Sequence, residues 1–314
     1  MKKVVVIVGP TAVGKTDFAF EIAKAKNGAL VSADAVQVFK TLDIISGKDI
    51  DISIAQKKTS YNLEYYSIDD IDVYLLDLVD PTNSFSVSQF QDFGNRALHH
   101  IIRENKLPII VGGTGLYIKS LVDGIETASV QPDFKLREKL HSLELEEIQN
   151  MLRKLDSSIF ESMNESDKKN KRRLVRKMEI IQSGQRSIER SKSEFEYLVI
   201  GLKLSRGELK KRISKRVEDR IRNGALKEAR KLFKDYKNLS SQVTSANGYR
   251  QLFEYFLGEI AYDQAIEKWK LSEYKHAKNQ MTWFQKDARV VWFDVGNKSV
   301  FESIEQNIDT FLRT

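Results

Sequence analysis

Eight residues near the start of the chain, Gly9-Pro10-Thr11-Ala12-Val13-Gly14-Lys15-Thr16, place two glycines and a Lys-Thr pair at the spacing of a phosphate-binding P-loop. Each residue type has a job in that chemistry. The glycines let backbone N–H groups turn toward an anion, and a helix starting at the loop's end adds partial positive charge. Lys15 reaches an outer phosphate, and the Thr16 hydroxyl can ligate Mg²⁺. A plain strand-to-helix turn would account for the glycines but not for a lysine at the loop's end. Asp34 closes Ser32-Ala33-Asp34 at a strand's carboxyl end, the edge where open α/β sheets bind ligands. Three roles are open to it: metal ligand, general base, or cap of the next turn.

Leu107–Gly115 ends a buried strand in Gly112-Gly113-Thr114-Gly115. A P-loop ATPase often carries an acid there to hold Mg²⁺ or orient water. Small residues instead leave room for a bulky group, so water is not the expected acceptor. Residues 168–178 hold seven Lys/Arg and no acid, while Leu174, Met178 and Ile181 keep an apolar stripe at helical spacing. Such a run is either a solvated face or, at this density, a surface for nucleic-acid phosphates. Arg212, Arg216 and Arg220 share one helix face. They can clamp phosphate or pair with Glu208, Glu218 and Asp219. Trp269, Trp283 and Phe284 lie among Lys275, Lys278 and Lys286, a pattern for base stacking or for core aromatics under snorkelling lysines.

The elements that must position these residues follow an α/β order. Val4–Val8 is the central strand, Asp17–Lys26 a helix and Ala29–Ala33 the next strand. Residues 43–74 read as polar and irregular, with a solvated acidic loop at Asp69, Asp70 and Asp72, and Tyr74–Val79 as a strand. Ser84 or Ser86 caps a helix to about Glu104, whose apolar face is Val87, Phe90, Phe93, Ala97 and Ile101. Helical, charge-rich segments fill 116–196, including one helix over 165–184. Tyr197–Leu204 is a strand, helices run to about 286, and Arg289–Val295 and Ser299–Leu312 close the chain. The expectation is an α/β P-loop NTPase-like core with a parallel sheet, residues 1–115 and 197–314, and an inserted mainly α-helical domain, residues 116–196.

Composition narrows the classes. The 314 residues contain no cysteine, which excludes disulfides, thiolate metal sites and Cys nucleophiles, and four histidines make a zinc site improbable. No apolar run approaches the roughly 20 residues of a membrane span, and Met1 leads straight into a strand. A cytoplasmic protein without a signal peptide is expected. The net charge of +7 suits a polyanionic partner.

Taken together, several motifs resemble one family, the tRNA dimethylallyltransferases (tRNA isopentenyltransferases). They are residues 9–16, Ser32-Ala33-Asp34-Ala35-Val36-Gln37-Val38-Phe39, the Leu78–Ser86 segment, Leu107–Tyr117, Asn247-Gly248-Tyr249-Arg250-Gln251, and Gln280-Met281-Thr282-Trp283-Phe284. Their order and spacing are collinear over nearly the whole chain. The resemblance implies a monomer that moves a dimethylallyl group from its diphosphate to N6 of adenosine 37. That base adjoins the anticodon of tRNAs reading codons that start with U. It implies Mg²⁺ at Thr16, Asp34 as general base, and Lys15, Thr16 and Arg216 as its catalytic companions. Gly9, Thr11, Ala12, Val13, Gly14, Lys15, Thr16 and Arg216 would hold the diphosphate.

For contact with the tRNA anticodon stem-loop the resemblance implies Asp34, Ala35, Val36, Gln37 and Thr114, then Arg137, Arg172, Arg173 and Arg176 in the insertion. Gly248, Tyr249, Arg250, Lys278, Gln280 and Trp283 complete that set. The chain departs from the family pattern at Ala35, where Ser is usual, at Phe39, around Asp72–Leu75, at Lys169-Asn170, at Asn279 and at Gln285. Two other readings compete: prenylation of free adenine nucleotides, and a P-loop nucleotide kinase or NTPase.

Overall fold

A computed structural model describes residues 1–48, 55–124, 130, 133–184, 194–297 and 299–314. The chain forms two compact units, Met1–Asp123 with Ser193–Thr314, and Gly124–Lys192.

The first unit is built on an eight-stranded sheet: β1 (Lys2–Val8), β2 (Gly28–Ala33), β3 (Gln56–Ser60), β4 (Leu63–Ile68), β5 (Ile71–Tyr74), β6 (Leu107–Gly112), β7 (Phe195–Lys203) and β8 (Val290–Asp294). The spatial order is β3-β4-β5-β2-β6-β1-β7-β8, parallel from β5 to β8. β1 is central because Val4 to Val8 are apolar on both faces. Side chains alternate across a strand, so Val4, Val6 and Val8 enter one core layer and Val5 and Ile7 the other. The helices are α1 (Lys15–Ala25), α2 (Val87–Arg103) and α3 (Gly115–Val122). Ala19, Ile22 and Ala23 of α1 cover the Val5–Ile7 face, and Phe90, Ala97 and Ile101 of α2 cover the other. Of the two serines proposed to start α2, Ser86 is the cap: Gln89 N–H donates to its hydroxyl, and the Gln89 side chain returns to the Ser86 amide.

Of the stretch expected to be irregular, residues 43–48 form turns and 49–54 lie outside the described residues, but Gln56 to Tyr74 form a three-stranded antiparallel extension of the sheet, β3-β4-β5. Its turns are Tyr61-Asn62 and Asp69-Asp70, and all four residues have positive φ, which matches the right-handed twist of the flanking strands. The acidic pair is thus a hairpin turn, and Asp72 is buried, accepting from Lys106 at 2.6 Å. Leu63, Tyr66, Ile71 and Val73 point inward; the alternation is short and interrupted by charge, which hid it. The strand expected over Tyr74–Val79 ends at Tyr74, because Leu75 turns away at φ 68°, leaving only a bridge between Phe39 and Val79.

The second unit holds α4 (Phe134–His141), α5 (Leu145–Leu155), α6 (Ser157–Ser162), α7 (Glu165–Lys168) and α8 (Lys171–Gln182) around Leu140, Ile148, Leu152, Phe160, Leu174 and Met178. The single helix expected over 165–184 is two, because the Asn170 side chain accepts from Arg173 N–H and restarts the helix as a cap. The first unit resumes with α9 (Arg206–Arg222), α10 (Ala225–Phe233), α11 (Ser241–Thr244), α12 (Tyr249–Phe256), α13 (Tyr262–Phe284) and α14 (Val300–Arg313). Among the described residues no helix is long and apolar enough to cross a membrane.

Candidate active site

The P-loop follows the carboxyl end of β1. Gly14 caps α1 at φ 99°, a left-handed conformation that costs an L side chain, and it supplies no side-chain cap, so the helix's first amides face the loop. Lys15 curls over the loop and its Nζ donates to Pro10 C=O at 2.8 Å. Across β6, Asp34 stands just past β2. Its Oδ1 accepts from Val36 N–H at 2.8 Å and Gln37 N–H at 3.3 Å. The capping role left open for Asp34 is therefore real, and it orients the carboxylate. Thr114 ties the two strand ends together: its Oγ1 accepts from Ala35 N–H at 3.0 Å, and its N–H donates to Ala33 C=O at 3.1 Å.

Helices α9 and α13 close the site. Arg216 Nη1 donates to Thr11 Oγ1 at 3.2 Å, so an arginine 205 residues away from the loop in sequence touches it. Along α13, Glu273, Ala277, Gln280 and Phe284 share one buried face at helical spacing. Gln280 bridges two loops: its Oε1 accepts from Thr11 N–H at 2.7 Å, and its Nε2 donates to Gly113 C=O at 3.0 Å. A Cβ on Gly113 would overlap that amide. The glycines after β6 thus make room first for α13, which corrects their reading as space for the acceptor alone. Gln280, expected to contact tRNA, has both ends of its amide engaged within the protein.

Together these elements enclose a cleft of about 560 Å³. Thr11, Ala12, Gly14, Lys15, Thr16, Asp34, Ala35, Val36, Gln37, Thr114, Arg216 and Gln280 line it. Among predicted diphosphate ligands, Gly9 and Val13 lie outside the lining; Val13 is buried, and a Cβ on Gly9 would meet Leu202 C=O at 2.5 Å. The cleft also draws in residues that sequence reasoning did not single out: Gly47, Glu273 and His276. The last two were findable, since they precede Gln280 by seven and four positions on the same helix.

Other residues expected at the nucleic-acid surface divide. Tyr249 is fully buried and donates to Glu228 Oε1 at 2.6 Å; burial and that carboxylate push its hydroxyl pKa well above 10. Expected to contact tRNA, it is placed in the core by the structure. Gly248, at φ 85°, packs on the Trp269 ring. Trp269 is wholly buried with its Nε1 on Glu273, which settles it as core, and Phe284 is buried as well. Arg250, Lys278 and Trp283 are exposed; the Trp283 indole lies against Gly115 and lines a second cleft of about 400 Å³ with Lys119, Lys286 and Arg289.

In the second unit, Arg137 forks onto buried Glu179 at 2.6 and 3.1 Å, and Arg176 adds a bond at 2.8 Å while also donating to Val130 C=O. Burial pushes the Glu179 carboxyl up, but the two guanidinium groups outweigh it and hold it below its ordinary value. These two arginines, expected on RNA, are both bonded to the buried Glu179, with Arg137 partly exposed and Arg176 half-buried. Arg173 pairs with Asp167, whereas Arg172 and Lys169 are exposed.

Among the described residues no group of three or more His, Asp or Glu could hold a metal. Thr16 with Asp34 and Asp17 in the same cleft is an oxygen-only donor set, which fits an ion carried largely by substrate phosphates, as Mg²⁺ is.

The model of the IPP transferase family matches residues 37–287, and that of isopentenyl transferases matches residues 2–68. A tRNA dimethylallyltransferase of Bacillus cytotoxicus is 36% identical over 301 residues, covering 94% of this chain and 90% of that one. The enzyme of that name from Lactococcus lactis subsp. cremoris MG1363 is 36% identical, covering 99% and 98%. Among solved structures, a full-length tRNA isopentenylpyrophosphate transferase of Bacillus halodurans superposes with a TM-score of 0.71 at 31% identity, over 100% of this chain and 97% of that one. A eukaryotic dimethylallyltransferase acting on tRNA shares the fold, with a TM-score of 0.77 at 23% identity over 100% of this chain and 80% of that one. With a P-loop, an aspartate and an arginine meeting in one cleft and a family match spanning most of its length, this chain belongs to the IPP transferase family.

Proposed function

We propose that this protein is a tRNA dimethylallyltransferase that prenylates N6 of adenosine 37, beside the anticodon, in tRNAs reading codons that start with U. The observation that carries the reading is the shared cleft, where Asp34, oriented by two amides, meets a P-loop touched by Arg216. The diphosphate lies on the P-loop amides, Lys15 and Arg216. The amine nitrogen attacks the allylic carbon, the C–O bond breaks toward the diphosphate, and Asp34 takes the amine proton. Alignment of the two reactants and stabilisation of charge on the leaving group supply the rate. Mg²⁺, held by Thr16 and the diphosphate, would help neutralise that charge. Taking the base out of its stack costs about a few kcal/mol, met by contacts to the stem-loop from residues 116–196, with Arg172 and Lys169 foremost. Residues 1–115 and 197–314 act as the catalytic core. The proposed working unit is a monomer. Its proposed place of action on tRNA is the cytoplasm.

The test is transfer of radiolabel from dimethylallyl diphosphate, in Mg²⁺, to undermodified tRNA, with AMP as a parallel acceptor and ATP as a parallel phosphate donor. Label in tRNA alone is expected. Label in AMP alone would move the enzyme to free nucleotides, and ATP turnover without label would make it a kinase or NTPase.

A further inference from the structure

The three arginines on one face of α9 do not share one environment. Arg212 pairs with Glu208 at 3.6 Å, and both are exposed. Arg216 donates to Thr11 of the P-loop. Arg220, one turn further on, is buried, yet it lines the same cleft as Arg216, Lys15 and Thr16. A guanidinium is seldom buried without a group of opposite charge beside it. Here Glu273 of α13 stands opposite, its Oε1 3.9 Å from Arg220 Nη1. The same oxygen accepts from Trp269 Nε1 at 3.2 Å, and Trp269 is wholly buried, so a packed side chain fixes the carboxylate.

Like charges four residues apart on a helix repel, but the ends of Arg216 and Arg220 do not splay: both converge beside Gly47. Two forks meeting at one place in a cleft suit a phosphoryl group, whose oxygens each guanidinium can take in pairs. Lys15 and the loop amides lie on the P-loop side of that cleft, and the two arginines come from the wall that α9 provides.

We propose that Arg220 is a second diphosphate-binding arginine, which with Arg216 forms a two-guanidinium clamp on the leaving group while Glu273 holds its fork in place. Resting on the prenyl-transfer reading, this puts two cations of α9 on the diphosphate where the P-loop touches only Arg216. The clamp grips bound substrate and also the charge that builds as the C–O bond breaks. Its loss therefore raises KM and lowers kcat.

Arg220→Met alone would leave a buried carboxylate without its counter-ion and can unfold the protein. The decisive variant is Arg220→Met combined with Glu273→Gln, which removes both buried charges while an amide oxygen still accepts from Trp269. Calorimetric titration with inorganic pyrophosphate in Mg²⁺ buffer, beside KM and kcat for dimethylallyl diphosphate, compares it with wild type and with Glu273→Gln. The double variant should bind pyrophosphate about tenfold or more weakly, the scale of one lost charge-assisted bond. Its tRNA affinity should be unchanged. Glu273→Gln leaves Arg220 facing an amide oxygen and should fall well short of that loss. A merely structural pair would give a double variant with wild-type affinity for pyrophosphate, which would overturn the proposal and leave the reaction assignment standing. So would equal losses in the double variant and in Glu273→Gln, or a loss of tRNA affinity in place of pyrophosphate affinity, which would put the guanidinium on an RNA phosphate. A wild type that binds no pyrophosphate would sink both. Should the double variant not fold, Arg220→Lys keeps the ion pair and gives up the fork. It should bind pyrophosphate less tightly than wild type, and unchanged affinity there would also overturn the proposal.

Discussion

Asp34 shows how one side chain can serve local structure and chemistry together. Its Oδ1 is committed to two amides of the following turn, which stops the carboxylate from rotating. Asp34→Asn keeps an oxygen for those amides, so folding should survive while proton acceptance is lost. The expected result is a fall in the transfer rate of about 10²–10⁴-fold, the usual worth of a positioned general base, with tRNA affinity nearly unchanged. Stopped-time transfer and filter-binding assays measure the two separately, and parallel losses in both would assign Asp34 a structural role only. Gln280 teaches the converse. Its residue type suits base recognition, yet both ends of its amide are spent holding the P-loop to the Gly113 turn.

At the scale of elements, α4 and α8 are joined through the buried Glu179 carboxylate. Removing one partner of a buried ion pair leaves the others uncompensated. Arg137 is 44% exposed and water partly relieves it, so the expected cost of Glu179→Ala is near the low end of the usual range, about 3 kcal/mol. Hydrogen exchange in α8 reports it. The pH dependence follows from the lowered folded value. Unfolded, Glu179 titrates near 4.5; its stabilisation is complete above that pH and fades as the pH drops through the lower folded value. Amide protection in α8 should therefore weaken on acidification below pH 4.5, and the acid sensitivity should vanish in Glu179→Ala.

At the scale of the whole molecule, the net charge of +7 gives a long-range pull on tRNA, but location decides which charges count. Arg172 is exposed, whereas Arg176 is bonded to Glu179 and to Val130 C=O. Plotting log affinity for tRNA against log salt for each variant separates them. Arg172→Ala should flatten the slope by about 1 and leave unfolding unchanged. Arg176→Ala should lower the stability of α8 and leave the slope per folded molecule as it was. A slope change in Arg176→Ala equal to that of Arg172→Ala would return it to the RNA surface.

By itself the sequence determined the parts of this protein that local physics controls. Val4–Val8 could only be a buried strand, two glycines with Lys15 and Thr16 could only be placed where such a strand meets a helix, and Phe90, Ala97 and Ile101 marked the inner face of α2. The hairpins of β3 to β5 escaped because their apolar alternation is short and broken by charge; Asn62, Asp69 and Asp70, residue types that take positive φ readily, are a turn signal that reads equally as solvated loop. Only the tertiary structure decided which distant side chains reach the cleft. Arg216 meets Thr11 because α9 packs beside the loop, Gln280 meets Gly113 because that glycine has no Cβ, and Tyr249 turns inward to Glu228. A hydrogen bond between residues some 200 positions apart leaves no period or spacing in the chain. It exists only after burial of the two core layers has brought the helices together.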